Sequence, residues 1–152
     1  MQPGTAEPAA SPPSDAPVLR LDWAFGLLAL LYLWRLGAAP LFDVDEGAFA
    51  EATREMLASG DWGHTFLNGA DRFDKPILVY WLQALSMAVL GVDEFAARLP
   101  SALCTLAAAW QVGQFLRPRW GESRAALAMV LGGSALGVLA IGRAATADGL
   151  LN

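Results

Sequence analysis

The chain has 152 residues, 55% of them hydrophobic and 16% charged, with a formal net charge of −5. That acidic balance excludes a nucleic-acid partner, whose phosphates require a basic face. The apolar residues are gathered into long runs, which favours a membrane protein over a soluble one, and the single cysteine, Cys104, excludes an intrachain disulfide and reads as a small packing residue.

Residues 1–20 form a tail rich in Pro, Ala and Ser. Such a segment cannot bury enough surface to offset its ordering entropy, so it is predicted to be a disordered cytoplasmic tail. It lacks the basic start of a cleavable signal peptide, and the next run is expected to remain as an anchor. That run, residues 23–41, is broken only by Arg35. At about 1.5 Å per residue it reaches roughly 28 Å, close to the hydrocarbon thickness. Arg35 lies near its far end, where it either snorkels to the interface or contacts an anionic headgroup.

A polar stretch follows, and residues 42–98 are predicted to form an outer loop. Within it, residues 47–59 place Phe49, Thr53, Met56 and Leu57 on one helical face, and Gly60 is positioned to end that helix. Asn68-Gly69 marks turns in the segment 61–73. Residues 76–91 are apolar but short, with Tyr80, Gln83 and Ser86 as a weak polar stripe, and read as a second interfacial helix. Two further spans are predicted over 99–116 and 125–141, the latter rich in Gly132, Gly133 and Gly137, which suits close packing in lipid. The link between them holds Arg117, Arg119 and Arg124, and the positive-inside rule places it in the cytoplasm. If residues 76–91 do not cross, the chain also begins in the cytoplasm, and Asp45, Lys75 and Asp148 share the outer face.

The residues that can carry chemistry each have a plainer use. Asp45 and Glu46 are an N-cap and a first-turn acid, or carboxylates that bind a metal, orient an acceptor or remove a proton. Asp74-Lys75-Pro76 is an ion pair before a proline-started helix, or presents Lys75 to a phosphate. Arg143 and Asp148 follow the last apolar run, and His64 is a lone loop histidine.

Together these stretches resemble a known family. Asp45-Glu46, Arg54-Glu55-Met56-Leu57-Ala58-Ser59-Gly60-Asp61-Trp62, Phe73-Asp74-Lys75-Pro76, Tyr80-Trp81-Leu82-Gln83, Glu94 to Ala102 and Arg143 to Asp148 are similar, in order and spacing, to the GT-C glycosyltransferases of the protein O-mannosyltransferase and lipid A aminoarabinose transferase group. The resemblance implies an all-α membrane protein, a multispan GT-C helical bundle of which residues 21–152 form the N-terminal part. It implies a bacterial inner-membrane enzyme with its site on the outer face. Such an enzyme transfers a sugar from a polyprenyl-phosphate donor to a lipid A phosphate or a protein hydroxyl. By resemblance Asp45, Glu46 and Asp148 are the catalytic acids: Asp45 the catalytic aspartate, Glu46 its neighbour and Asp148 a second-loop acid that helps shape the site. Lys75 matches a donor-phosphate contact, and Arg143, within a matched stretch, joins it. Asp74 stands where glutamate is usual and is a candidate ligand for a divalent metal; no other cofactor is implied. Ala48 replaces a basic residue common in the family, and Ile77 replaces a proline. Because the chain ends just after Asp148, it is expected to be inactive alone. The competing expectation is a non-catalytic membrane subunit or an inactive truncated fragment.

Overall fold

The structure, a computed structural model, describes residues 18–73 and 75–151, except the side chains of Asp43 and Leu151. Most of the predicted tail, residues 1–17, and the candidate metal ligand Asp74 lie outside the described residues. Those described form α1 Leu21–Leu33, α2 Asp43–Ser59, the strands β1 Phe66–Leu67 and β2 Ala70–Asp71, α3 Leu78–Leu90, α4 Glu94–Trp120, α5 Glu122–Gly133, α6 Leu136–Gly142 and α7 Asp148–Leu151.

α1 differs from the predicted 23–41 run. It has 13 residues, about 20 Å of helix, and stops at Leu33. Counting apolar residues missed what happens there: two arginines from distant parts of the chain capture carbonyls of the last turn and of the segment after it. Arg143 bonds those of Leu31, Tyr32 and Trp34, and Arg98 bonds those of Leu36, Ala39 and Pro40. The predicted 99–116 run lies wholly inside α4, which starts earlier because the Asp93 side chain caps it, accepting from Ala96 N at 2.7 Å. The predicted 125–141 run is divided between α5 and α6, bent by 68°. The Gly-Gly-Ser sequence at the break favours helix weakly, and Tyr32 Oη donates to the carbonyl of Gly133 at 2.8 Å. Among the described residues no single helix is long and apolar enough to cross a membrane, though the bent α5–α6 pair has that length and composition together.

α1, α4 and α5 share one core, with Leu21, Ala24, Leu28 and Tyr32 against Ala102, Leu106, Ala126 and Met129. Of the three glycines expected to allow close packing, only Gly133 does so. A Cβ there would meet Leu28 Cδ2 at 2.7 Å, whereas Gly132 and Gly137 have nothing within 4 Å. A second core joins α2 to α3 through Phe49, Ala52, Met56, Val79, Tyr80 and Ala84, with Phe49 and Tyr80 stacked at 5.5 Å. The outer faces are apolar as well: Trp23, Leu27 and Leu30 of α1, Leu85 and Val89 of α3, and Leu127 and Leu131 of α5 are exposed.

The polar stretch is ordered by short-range signals. Gly60, at φ 72°, closes α2 in the left-handed region. Asn68 and Gly69, at φ 54° and 77°, form the two-residue turn of a β-hairpin. The polar stripe of α3 turns inward, contrary to an interfacial face. Gln83 is 1% exposed; its Oε1 lies 2.8 Å from Thr53 Oγ1, and its Nε2 donates to the carbonyl of Ala97 at 3.0 Å. It ties α3 to α2 and α4.

The bundle has two distinct ends. The start of α1 sits on the α4–α5 turn, where the amides of Leu19 and Leu21 donate to Ser123 Oγ and Glu122 Oε1. The end of α1 meets the starts of α2 and α4 and the end of α6, through Arg98 and Arg143. The arginine link and the first acidic cluster therefore lie at opposite ends.

Candidate functional site

An open cavity of about 390 Å³ lies at the acidic end, lined by Arg35, Asp45, Glu46, Arg98 and Arg143 among others. Its floor is an ion pair between α2 and α4. Arg98 Nε and Nη2 donate to the two oxygens of Glu46 at 2.9 and 2.8 Å, and both side chains are under a tenth exposed. The remaining three Arg98 hydrogens go to the carbonyls of Leu36, Ala39 and Pro40 at 2.8–3.0 Å. Glu46 also accepts from Phe42 N at 2.6 Å and Ala145 N at 2.7 Å. All five guanidinium donors and four carboxylate acceptor positions are thus in use. Burial alone would raise the Glu46 pKa, but the bonds from Arg98, Ala145 and Phe42 outweigh it and hold the carboxyl below its ordinary value.

Asp45 has the opposite surroundings. The cap reading fails for it: the residue before α2 is Phe42, with no side-chain cap bond, and Asp45 stands in the first turn. Its side chain is exposed at the cavity.

Of the other expected site residues, Arg143 reaches the cavity wall while fastening the end of α1, with Nη1 2.5 and 2.8 Å from the carbonyls of Leu31 and Tyr32 and Nη2 3.0 Å from that of Trp34. Lys75 and Asp148 are exposed and do not line this cavity; Lys75 lies between the hairpin and α3, and Asp148 begins α7. Among the described residues no group of three or more His, Cys, Asp or Glu is placed to hold a metal ion. His64 pairs locally with Asp61 at 3.0 Å on the surface. Arg98 was missed as a site-forming residue. Its signal was an arginine at the head of an apolar run, since a buried charge must be paired.

The geometry is that of a helical bundle whose acidic end presents the exposed carboxylate of Asp45 over a sealed ion pair. Comparison with known proteins places it. Residues 74–152, just over half the chain, match the family model described as dolichyl-phosphate-mannose-protein mannosyltransferase. The undecaprenyl phosphate-alpha-4-amino-4-deoxy-L-arabinose arabinosyl transferase of Aeromonas salmonicida is 37% identical over 131 residues, covering 85% of this chain and 24% of that protein. The second such transferase of Pseudomonas fluorescens is 36% identical over 122 residues, covering 78% and 21%. Among solved structures, ArnT from Cupriavidus metallidurans in the apo state superimposes with TM-score 0.79 at 27% identity, covering 86% of this chain and 24% of that one. The form bound to undecaprenyl phosphate gives 0.75 at 30% identity over the same shares. The chain therefore belongs to the dolichyl-phosphate-mannose-protein mannosyltransferase family, and its fold is the ArnT-like GT-C bundle. It spans about a quarter of the length of the curated relatives it matches.

Proposed function

We propose that the chain contributes the Asp45 site of a lipid-linked sugar transferase in a bacterial inner membrane. The donor is a sugar on undecaprenyl phosphate, of the 4-amino-4-deoxy-arabinose class named for the relatives, and the acceptor is a lipid A phosphate on the outer face. The observation that carries this reading is Asp45, an exposed first-turn carboxylate facing an arginine-lined cavity while adjacent Glu46 is sealed.

In the proposed reaction an acceptor oxygen attacks the anomeric carbon of the donor. The bond from that carbon to the phosphate oxygen breaks, and the phosphate leaves with the electron pair, inverting the carbon. An acceptor phosphate is already deprotonated and needs no strong base, so Asp45 orients it; a protein hydroxyl would give its proton to Asp45. Cations are needed where phosphate charge develops, the role assigned to Lys75; Arg143, whose terminal nitrogens hold three carbonyls of the α1 end, adds its charge from the cavity wall without a direct bond to the phosphate. Asp148 shapes the far side of the site. Glu46 acts as a positioning residue, because its acceptor sites are all occupied. The test is reconstitution of the complete polypeptide carrying this sequence into proteoliposomes with undecaprenyl-phosphate aminoarabinose and lipid A, read by the mass of lipid A. A sugar-sized mass increase, lost in Asp45→Asn, is expected. No increase in the wild type, or an undiminished one in Asp45→Asn, overturns the reading.

A further inference from the structure

We propose that Arg35 holds the phosphate of a lipid-linked substrate at the Asp45 cavity. The proposal rests on the functional reading above and extends it to a residue on the α1–α2 link.

Three arginines line the cavity, and two of them are committed to the fold. Arg98 has all five hydrogens bonded to Glu46 and to carbonyls. Arg143 uses its terminal nitrogens to hold three carbonyls of the α1 end. Arg35 is exposed, and its guanidinium has no hydrogen bond or ion pair with any described residue. Asp45 lines the same cavity, yet the two form no ion pair. Space between the opposite charges is left for a ligand that carries an anion toward Arg35 and a reacting centre toward Asp45. The first two turns of α2 cannot supply that cation, because residues 43–50 read Asp-Val-Asp-Glu-Gly-Ala-Phe-Ala.

The backbone supports the assignment. Arg35 sits at φ 51°, a left-handed position where glycine would be cheaper. A strained backbone position beside a cavity motivates a functional reading. The turn is also held firmly: the carbonyls of Trp34 and Leu36, on either side, are bonded by Arg143 and Arg98, and that of Arg35 accepts from Ala38 N at 3.1 Å. The guanidinium therefore projects from a fixed support. Its planar fork matches two oxygens of a phosphate better than an ammonium does.

The complete polypeptide carrying this sequence would be placed in lipid nanodiscs and titrated with undecaprenyl phosphate, with undecaprenol as the uncharged control, and with lipid A. Arg35→Gln should weaken undecaprenyl phosphate or lipid A about tenfold to a hundredfold, and whichever weakens identifies the donor or the acceptor as the source of the phosphate. Undecaprenol binding should not change. Arg35→Lys should recover part of the loss. Arg35→Gly should raise the thermal midpoint by relieving the backbone while weakening phosphate binding as Arg35→Gln does, which separates binding from folding. Unchanged affinity of Arg35→Gln and Arg35→Gly for both phosphate lipids overturns the role of Arg35 alone. A wild type that binds undecaprenyl phosphate no better than undecaprenol, and does not bind lipid A, overturns the underlying functional reading as well.

Discussion

Asp45 and Glu46 are neighbours in sequence, carry the same charge and begin the same helix, yet they have opposite fates. Glu46 turns into the bundle and is held by Arg98 and two amides; Asp45 turns to the cavity and stays exposed. One helical step of about 100° separates a buried, paired carboxylate from an exposed one. The difference lies in what faces each position from 50 to 100 residues away. An acidic pair at a helix start is thus two separate questions, and the partner of each acid answers them.

The largest expected effect comes from breaking the sealed half. Arg98→Met would leave Glu46 buried without its counter-charge and free the carbonyls of Leu36, Ala39 and Pro40. We expect a loss of about 3–5 kcal/mol, read as a lowered unfolding midpoint in detergent, with faster hydrogen exchange over residues 34–46 and 143–147. Asp45→Asn should do the reverse. Sugar transfer should fall by about a hundredfold, the cost of a misplaced acceptor, while stability stays within about 0.5 kcal/mol of the wild type. A strongly destabilised Asp45→Asn, or a normally stable Arg98→Met, would exchange the two roles.

Acid sharpens the same contrast. The Glu46 carboxyl titrates below its ordinary value of 4.5 in the folded protein, so the unfolded chain takes up its proton first as pH falls. The stability Glu46 contributes is complete at neutral pH, begins to be lost near the ordinary value, and is gone below the folded one. Unfolding of the wild type and of Glu46→Gln, followed from pH 7 to pH 3, should converge toward the acid end. A gap that stays constant would mean that shape, and not charge, holds this node.

Much of the local structure was legible in the sequence. The apolar face of α2, its closure at Gly60 and the Asn68-Gly69 turn depend on spacing and on residues that tolerate positive φ. The start of α1 lies against the arginine link, the neighbourhood expected of two segments on one side. The misses share one cause. The end of α1 is set by Arg98 and Arg143, more than 50 residues on, and Gln83 was read as a surface stripe because its partners Thr53 and Ala97 belong to other helices. Periodicity describes a helix and its faces; it does not tell which polar group will meet which carbonyl across the core. The site divides the same way: Asp45, Glu46 and Arg143 were chosen from sequence and line one cavity, while Arg98, which fixes Glu46, was not.

A control on α2 itself shows whether burial or geometry makes the Glu46–Arg98 pair matter. Glu51 and Arg54, one turn further along, form a fork of similar quality, with Arg54 Nε and Nη2 donating at 2.9 and 2.7 Å. Their side chains are 37% and 50% exposed, and water competes for every one of those hydrogens. The side-chain hydrogen bond to Arg54 lowers the Glu51 pKa with little burial against it, whereas Glu46 is lowered against a large burial penalty. The entropy of fixing two long side chains and screening by salt offset most of the attraction at an exposed site. Glu51→Gln should therefore leave the unfolding midpoint almost where it is, with any remaining difference shrinking as salt is raised. Arg98→Met should keep its full effect at the same salt, because its surroundings exclude the ions that do the screening. Equal losses from the two substitutions, or equal sensitivity to salt, would show that fork geometry alone sets the strength of such pairs and that the sealed floor of the cavity has no special standing.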